Sequence, residues 1–196
     1  MNLPNKLTVF RIAITPVFLI VFMLPRWMDG YSALLGVVLW ALYLAIEISD
    51  VLDGFIARRY GLVSDLGKVL DPFADVLSRV TYFICFSAAG IMPVVILAIL
   101  LYREFSVTFL RMILIRKGVA MAASIWGKLK AVTYALAGVL GLVYVSIERS
   151  GLYGDMLSPL LIGVQAVFIL SAIASVLSFV TYFSGALGVL KETFQE

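Results

Sequence analysis

Histidine is absent from this 196-residue chain. That removes imidazole ligands and the commonest general base. Cysteine occurs once, at Cys85 inside an apolar run, so neither an internal disulfide nor a zinc–thiolate cluster can form. Charge is scarce as well: Asp, Glu, Lys and Arg make up 14% of the residues, against about 25% in soluble domains. The space is taken by apolar residues, 63% of the chain, with a mean hydropathy of +1.08. An ordinary soluble domain is about 45–50% apolar. The expected architecture is an all-α integral membrane protein, with residues 1–196 forming one domain. The net charge of +3 is small, and no nucleic-acid partner is expected.

A membrane span needs about 20 apolar residues. Six segments meet this: 7–25, 31–57, 68–89, 93–115, 125–147 and 158–185. The stretch Met1–Lys6 lacks a short apolar core with a small-residue cleavage site, so the run to Pro25 is read as a retained first span. Pro16 is placed to kink that span, and the sixth is long enough to tilt or break near Thr181–Gly185. Lys6, Arg11, Arg58, Arg59, Lys68, Arg116, Lys117, Lys128, Lys130 and Lys191 all fall on one side of a six-span arrangement. Only Arg26 and Arg149 occupy the opposite loops. The positive-inside rule then puts both termini in the cytoplasm.

Against this background the acidic residues stand out. Asp50 and Asp53 lie near the cytoplasmic exit of span two, and Asp71 and Asp75 in the first turns of span three. A carboxylate at membrane depth costs roughly 2.5–3.5 kcal/mol. On a 3.6-residue helix Asp50, Asp53, Gly54 and Ala57 share one face; Gly67, Asp71 and Asp75 share another. The short connection from Tyr60 to Ser64 makes the two helices antiparallel neighbours, so the acidic faces can meet. Close carboxylates repel unless a cation bridges them, and magnesium suits an all-oxygen set. Capping is the plainer reading for one or two of them: Asp71 precedes Pro72 as an N-cap would. Four on matched faces favour a cation site. Arg103, Glu104 and Arg111 in span four and Lys128 and Lys130 in span five add polar groups at the same cytoplasmic depth, completing a cytoplasm-facing polar active site. Lys128 and Lys130 point to nearly opposite sides of their helix, so one of the two faces the site.

The pattern Asp50-x-x-Asp53-Gly54-x-x-Ala57-Arg58, eight residues, Gly67-x-x-x-Asp71-x-x-x-Asp75 resembles the motif of the CDP-alcohol phosphotransferases at every position. Length and span number agree along the chain. The resemblance implies transfer of a phosphatidyl group from CDP-diacylglycerol to an alcohol, with release of CMP. It also implies two Mg2+ (or Mn2+) ions held by Asp50, Asp53, Asp71 and Asp75, with Asp75 shared between metal and proton removal. Gly54, Ala57, Arg58 and Gly67 resemble the family's CDP-diacylglycerol-binding positions, and Asn5 and Thr8, on one helix face with Arg11, are candidates to touch the nucleotide. Helix start and interfacial anchor is the alternative for these last three.

Within the family, the opening Asn2–Arg11, the run Leu70–Asp75, Arg103-Glu104 and Gly127-Lys128-Leu129-Lys130 are similar to members whose acceptor is glycerol 3-phosphate. Val76, Ala131 and Tyr134 depart from that subgroup, so inositol phosphate, serine or a second phosphatidyl unit stay open as acceptors. Arg103, Arg111, Lys128 and Lys130 are the candidates for the acceptor phosphate. Arg79, one turn past Asp75, either assists a phosphate or neutralises the acids. A homodimer in the bacterial inner membrane is the implied setting, with Gly138 and Gly141 candidates for an interface or for packing within the protomer. A cation or proton transporter is the rival class, but its charges should collect near the midplane in paired halves.

Overall fold

The computed structural model describes residues 1–27, 33–117, 124–151 and 155–193. Its elements are helices α1 (Leu3–Trp27), α2 (Ala33–Arg59), α3 (Asp65–Ala88), α4 (Val94–Arg116), α5 (Ile125–Ser150) and α6 (Leu157–Thr193). No strand occurs among the described residues. The all-α reading holds, and each helix coincides with one expected span. Among the described residues α1, α2, α5 and Leu157–Gly188 of α6 are long and apolar enough to cross a membrane, as an integral membrane protein requires. Helices α3 and α4 match them in length but carry Asp71, Asp75 and Arg79, and Arg103, Glu104 and Arg111.

Local chemistry explains the boundaries. Asn2 caps α1, its Oδ1 accepting the Asn5 N–H at 3.2 Å. Helix α2 ends in a Schellman-type turn: the Leu62 N–H reaches the Ala57 carbonyl at 3.0 Å, and Gly61 takes φ 63°, which only glycine adopts without strain. Helix α3 begins earlier than expected, because Ser64 Oγ accepts the Gly67 N–H at 3.0 Å. Asp71 is therefore in the second turn, and its reading as an N-cap is corrected. Helix α6 continues through Thr181–Gly185 instead of breaking there. Thr181 and Ser184 turn their hydroxyls back onto the Leu177 and Thr181 carbonyls, at 2.8 and 3.0 Å, so neither competes with the helix.

The chain forms two compact units. The first comprises Met1–Cys85 with Ser146–Tyr153. Its core is aromatic: Tyr82 packs against Phe18 and Tyr43, each at 5.0 Å between centroids. Trp40 stands edge-on to Tyr43 and donates its indole N–H to Ser146 Oγ at 3.0 Å.

The second unit comprises Phe86–Val145 with Gly154–Glu196. Here Phe86 stacks on Phe168 at 5.9 Å, and both rings are fully buried. Gly138 and Gly141 are buried in this same unit, which accounts for them as packing residues within one protomer. A Cβ on Gly141 would lie 2.6 Å from the Phe86 ring. Because that ring is held by Phe168, Gly141→Ala is expected to destabilise the protein by about 1–3 kcal/mol, measured by denaturant titration in detergent.

Candidate active site

The acidic residues assemble in the first unit around two side chains from α1. Arg11 is 1% exposed. Its Nη1 pairs with Asp50 Oδ1, and its Nη2 lies 3.0 Å from Asp53 Oδ2. Thr8 Oγ1 lies 3.1 Å from Asp53 Oδ2 and 2.8 Å from Asp71 Oδ1, so one hydroxyl joins the acids of α2 and α3. Asp53 is buried, whereas Asp50 keeps over a third of its side chain exposed. Asp75, one turn beyond Asp71, is held by Arg79 through Nε at 2.8 Å and Nη2 at 2.7 Å. Arg79 thus neutralises an acid, one of the two roles expected for it.

Whether these residues fit a divalent cation can be tested on their hydrogen bonding. Thr8 has one hydroxyl hydrogen for three acceptors, the third being the Pro4 carbonyl at 3.1 Å. The oxygens of Asp50, Asp53, Asp71 and Asp75 are all hard ligands. That chemistry suits magnesium or manganese. In this arrangement no group of three acidic side chains among the described residues is gathered to ligate one ion. The cation between Asp50 and Asp53 is the Arg11 guanidinium.

A cavity of about 150 Å³ opens in the same unit, lined by Asn5, Gly54, Ala57, Arg58, Ser64, Gly67 and Asp71 among others. It gathers five of the six residues expected to contact CDP-diacylglycerol. The sixth, Thr8, is fully buried and is not part of the lining; it serves the carboxylates instead. The Arg58 guanidinium folds back over Gly54, where a Cβ would come within 3.3 Å of Nη1. At Gly67 a Cβ would meet Asn5 Oδ1 at 3.0 Å and Ser64 Oγ at 3.2 Å. Both glycines therefore keep the lining close-set.

The second unit holds its own polar cluster. Glu104 Oε1 accepts from Arg103 Nη1 at 2.9 Å and from Lys130 Nζ at 2.8 Å. Arg103 also donates to Ser178 Oγ at 2.8 Å and stands 5.9 Å from the Tyr182 ring centroid. Lys130 lies 4.6 Å over the Tyr134 ring, and the Tyr134 hydroxyl meets Ser175 Oγ at 3.0 Å. Lys130 is the inward lysine, while Lys128 is exposed. Arg111 is half-buried eight residues beyond Arg103, about 12 Å along the helix.

Sequence reasoning missed Ser175, Ser178 and Tyr182. Their spacing of three and four residues along an otherwise apolar α6 was the available clue. It also missed Ser64, which caps α3 and donates to Asn5 Oδ1 at 3.0 Å.

Comparison with known proteins gives this geometry its context. The family model for CDP-alcohol phosphatidyltransferase matches residues 1–180. A CDP-diacylglycerol–glycerol-3-phosphate 3-phosphatidyltransferase of Treponema pallidum is 32% identical over 97% of this chain and 92% of its own length. The proteins of the same name in Bacillus subtilis and Rickettsia typhi are 36% and 32% identical. Those matches cover 66% and 84% of this chain, and 70% and 89% of the relatives. The family generally depends on divalent metal. The matched stretch takes in both the acidic cluster of α1–α3 and the Arg103–Glu104–Lys130 cluster, and with it the chain belongs to the CDP-alcohol phosphatidyltransferase family.

Proposed function

We propose that this protein, acting as one catalytic domain, transfers the phosphatidyl group of CDP-diacylglycerol to glycerol 3-phosphate and releases CMP. The observation that carries the reading is the position of Asp71. It lines the motif-built cavity and also shares Thr8 with Asp53, so a pyrophosphate bound in the cavity would meet the acidic cluster. The names of the relatives supply the acceptor.

In this reading Arg58 and the close-set glycines orient the nucleotide. The acceptor hydroxyl oxygen attacks the lipid-side phosphorus, its proton passes to an Asp75 oxygen, and the bond to the CMP oxygen breaks. Asp50, Asp53, Asp71 and Asp75 would hold two Mg2+ or Mn2+ ions, which when bound supply charge neutralisation at the pyrophosphate. Arg103 and Lys130 bind the acceptor phosphate, Glu104 fixing the two cations in place. Arg111 is the remaining candidate for the acceptor phosphate, and Lys128, exposed on its helix, is the lysine that reaches for the membrane interface instead. Family resemblance also supports a homodimer in the bacterial inner membrane, and the distribution of Lys and Arg supports a cytoplasmic placement of the site and both termini.

The test is to incubate purified protein with labelled CDP-diacylglycerol and, separately, glycerol 3-phosphate, inositol phosphate, serine or phosphatidylglycerol. Release of CMP should require glycerol 3-phosphate and cease with excess chelator. Release with another acceptor alone would reassign the substrate. Ion flux in proteoliposomes lacking the nucleotide lipid would overturn the reading altogether.

A further inference from the structure

We infer that Arg11 is a resident counter-ion that competes with divalent metal for the Asp50 and Asp53 oxygens and so sets the metal affinity of the site. The inference rests on reading the acidic cluster as metal-binding. Its basis is that the guanidinium already occupies the two carboxylates that a metal ion would need. Arg11 takes Asp50 Oδ1 and Asp53 Oδ2, one from each Nη. A divalent ion ligated by those carboxylates would sit about 2.0–2.1 Å from their oxygens, which brings a doubly charged ion within a few ångströms of the guanidinium. Two positive charges on one buried oxygen also repel strongly, since Asp53 is 3% exposed and poorly screened by water.

Arg11 cannot escape by losing a proton, because a guanidinium stays charged in proteins. It must move. Two features make movement available. Its Nε is buried without a hydrogen-bond partner, so the terminal nitrogens alone anchor the group to polar partners. The Asp50 end of the pair is over a third exposed, giving the head of a long flexible side chain a way towards water. Thr8 stays behind: its hydroxyl also bonds the Pro4 carbonyl of its own helix. Arg11 therefore keeps the carboxylates together and neutralised, and tunes how readily metal enters.

The experiment titrates Mn2+ into the purified full-length protein in detergent, following free Mn2+ by electron paramagnetic resonance, for wild type, Arg11→Gln and Arg11→Lys. Thermal unfolding with and without Mn2+ is recorded alongside. Arg11→Gln should bind Mn2+ at least about tenfold more tightly than wild type, and Arg11→Lys within about threefold of it. In chelator Arg11→Gln should unfold at lower temperature, and saturating Mn2+ should recover most of the loss. Affinity equal to or weaker than wild type, or a stability loss unchanged by Mn2+, overturns the counter-ion role. Failure of the wild-type chain to bind Mn2+ would instead overturn the metal reading itself. If Arg11→Gln does not fold, Arg11→Gln/Asp50→Asn, which removes one charge of each sign, is compared with Asp50→Asn. Tighter binding by the double variant supports the competition, and equal or weaker binding refutes it.

Discussion

Asp71→Asn is expected to lower CMP release from CDP-diacylglycerol by roughly a thousandfold, about 4 kcal/mol of transition-state stabilisation. The size follows from its double position as cavity wall and as partner of the Thr8 hydroxyl that also meets Asp53. Asparagine keeps the shape and one carbonyl oxygen for Thr8, so stability should change by less than about 1 kcal/mol. A loss of turnover without a loss of stability would thus isolate the carboxylate charge. Steady-state kcat/KM paired with denaturation in the same detergent makes the comparison. Near-normal turnover in this variant would remove Asp71 from the chemistry and weaken the whole acidic-cluster reading.

Glu104→Gln should produce the largest structural effect, a destabilisation of about 3–5 kcal/mol. The carboxylate is shared by Arg103 and Lys130, and all three side chains are nearly buried. Removing it leaves two cations close together in a setting of low polarity. Arg103→Met should cost less, because Lys130 still pairs with Glu104 at 2.8 Å. Adding Arg103→Met to Glu104→Gln should recover part of the loss, since it relieves the repulsion between the two cations. Unfolding free energies of the two single variants and the double variant form the check. Equal and additive losses would mean that Glu104 acts only as a packing group.

Much of this was legible before any coordinates. The acidic motif could be read because its spacings of three and four residues are helical, and because charge at membrane depth demands an explanation. The turn from Tyr60 to Ser64 followed from the short break between two spans, whereas Gly54, Ala57, Arg58 and Gly67 came from the resemblance to the family motif, and Asn5 from the helix face it shares with Thr8 and Arg11. Arg11 was harder. Its spacing with Asn5 and Thr8 identified a shared face of α1, but not what that face meets. Its partner Asp50 is 39 residues away, and no local rule encodes that pairing. Lys128 and Lys130 pose the same problem on a smaller scale: periodicity shows that they diverge, and only the position of Glu104 decides which one turns inward. The length of α6 escaped for a different reason. Hydropathy marks where a segment leaves the membrane, whereas the helix stops only where its backbone or side chains offer an alternative.

Asn2 donates to the Leu62 carbonyl at 2.8 Å across 60 residues of sequence, and Ser64 reaches Asn5 in the same region. During synthesis the opening residues leave the ribosome long before either partner exists. The first helix must enter the bilayer with those amides still hydrated, and they find their permanent partners only once the following hairpin has been inserted. Closing so long a loop adds little entropy beyond that of a shorter one. Assembly of the cavity therefore waits on the turn between α2 and α3, which is made about 60 residues after the α1 residues that hold it.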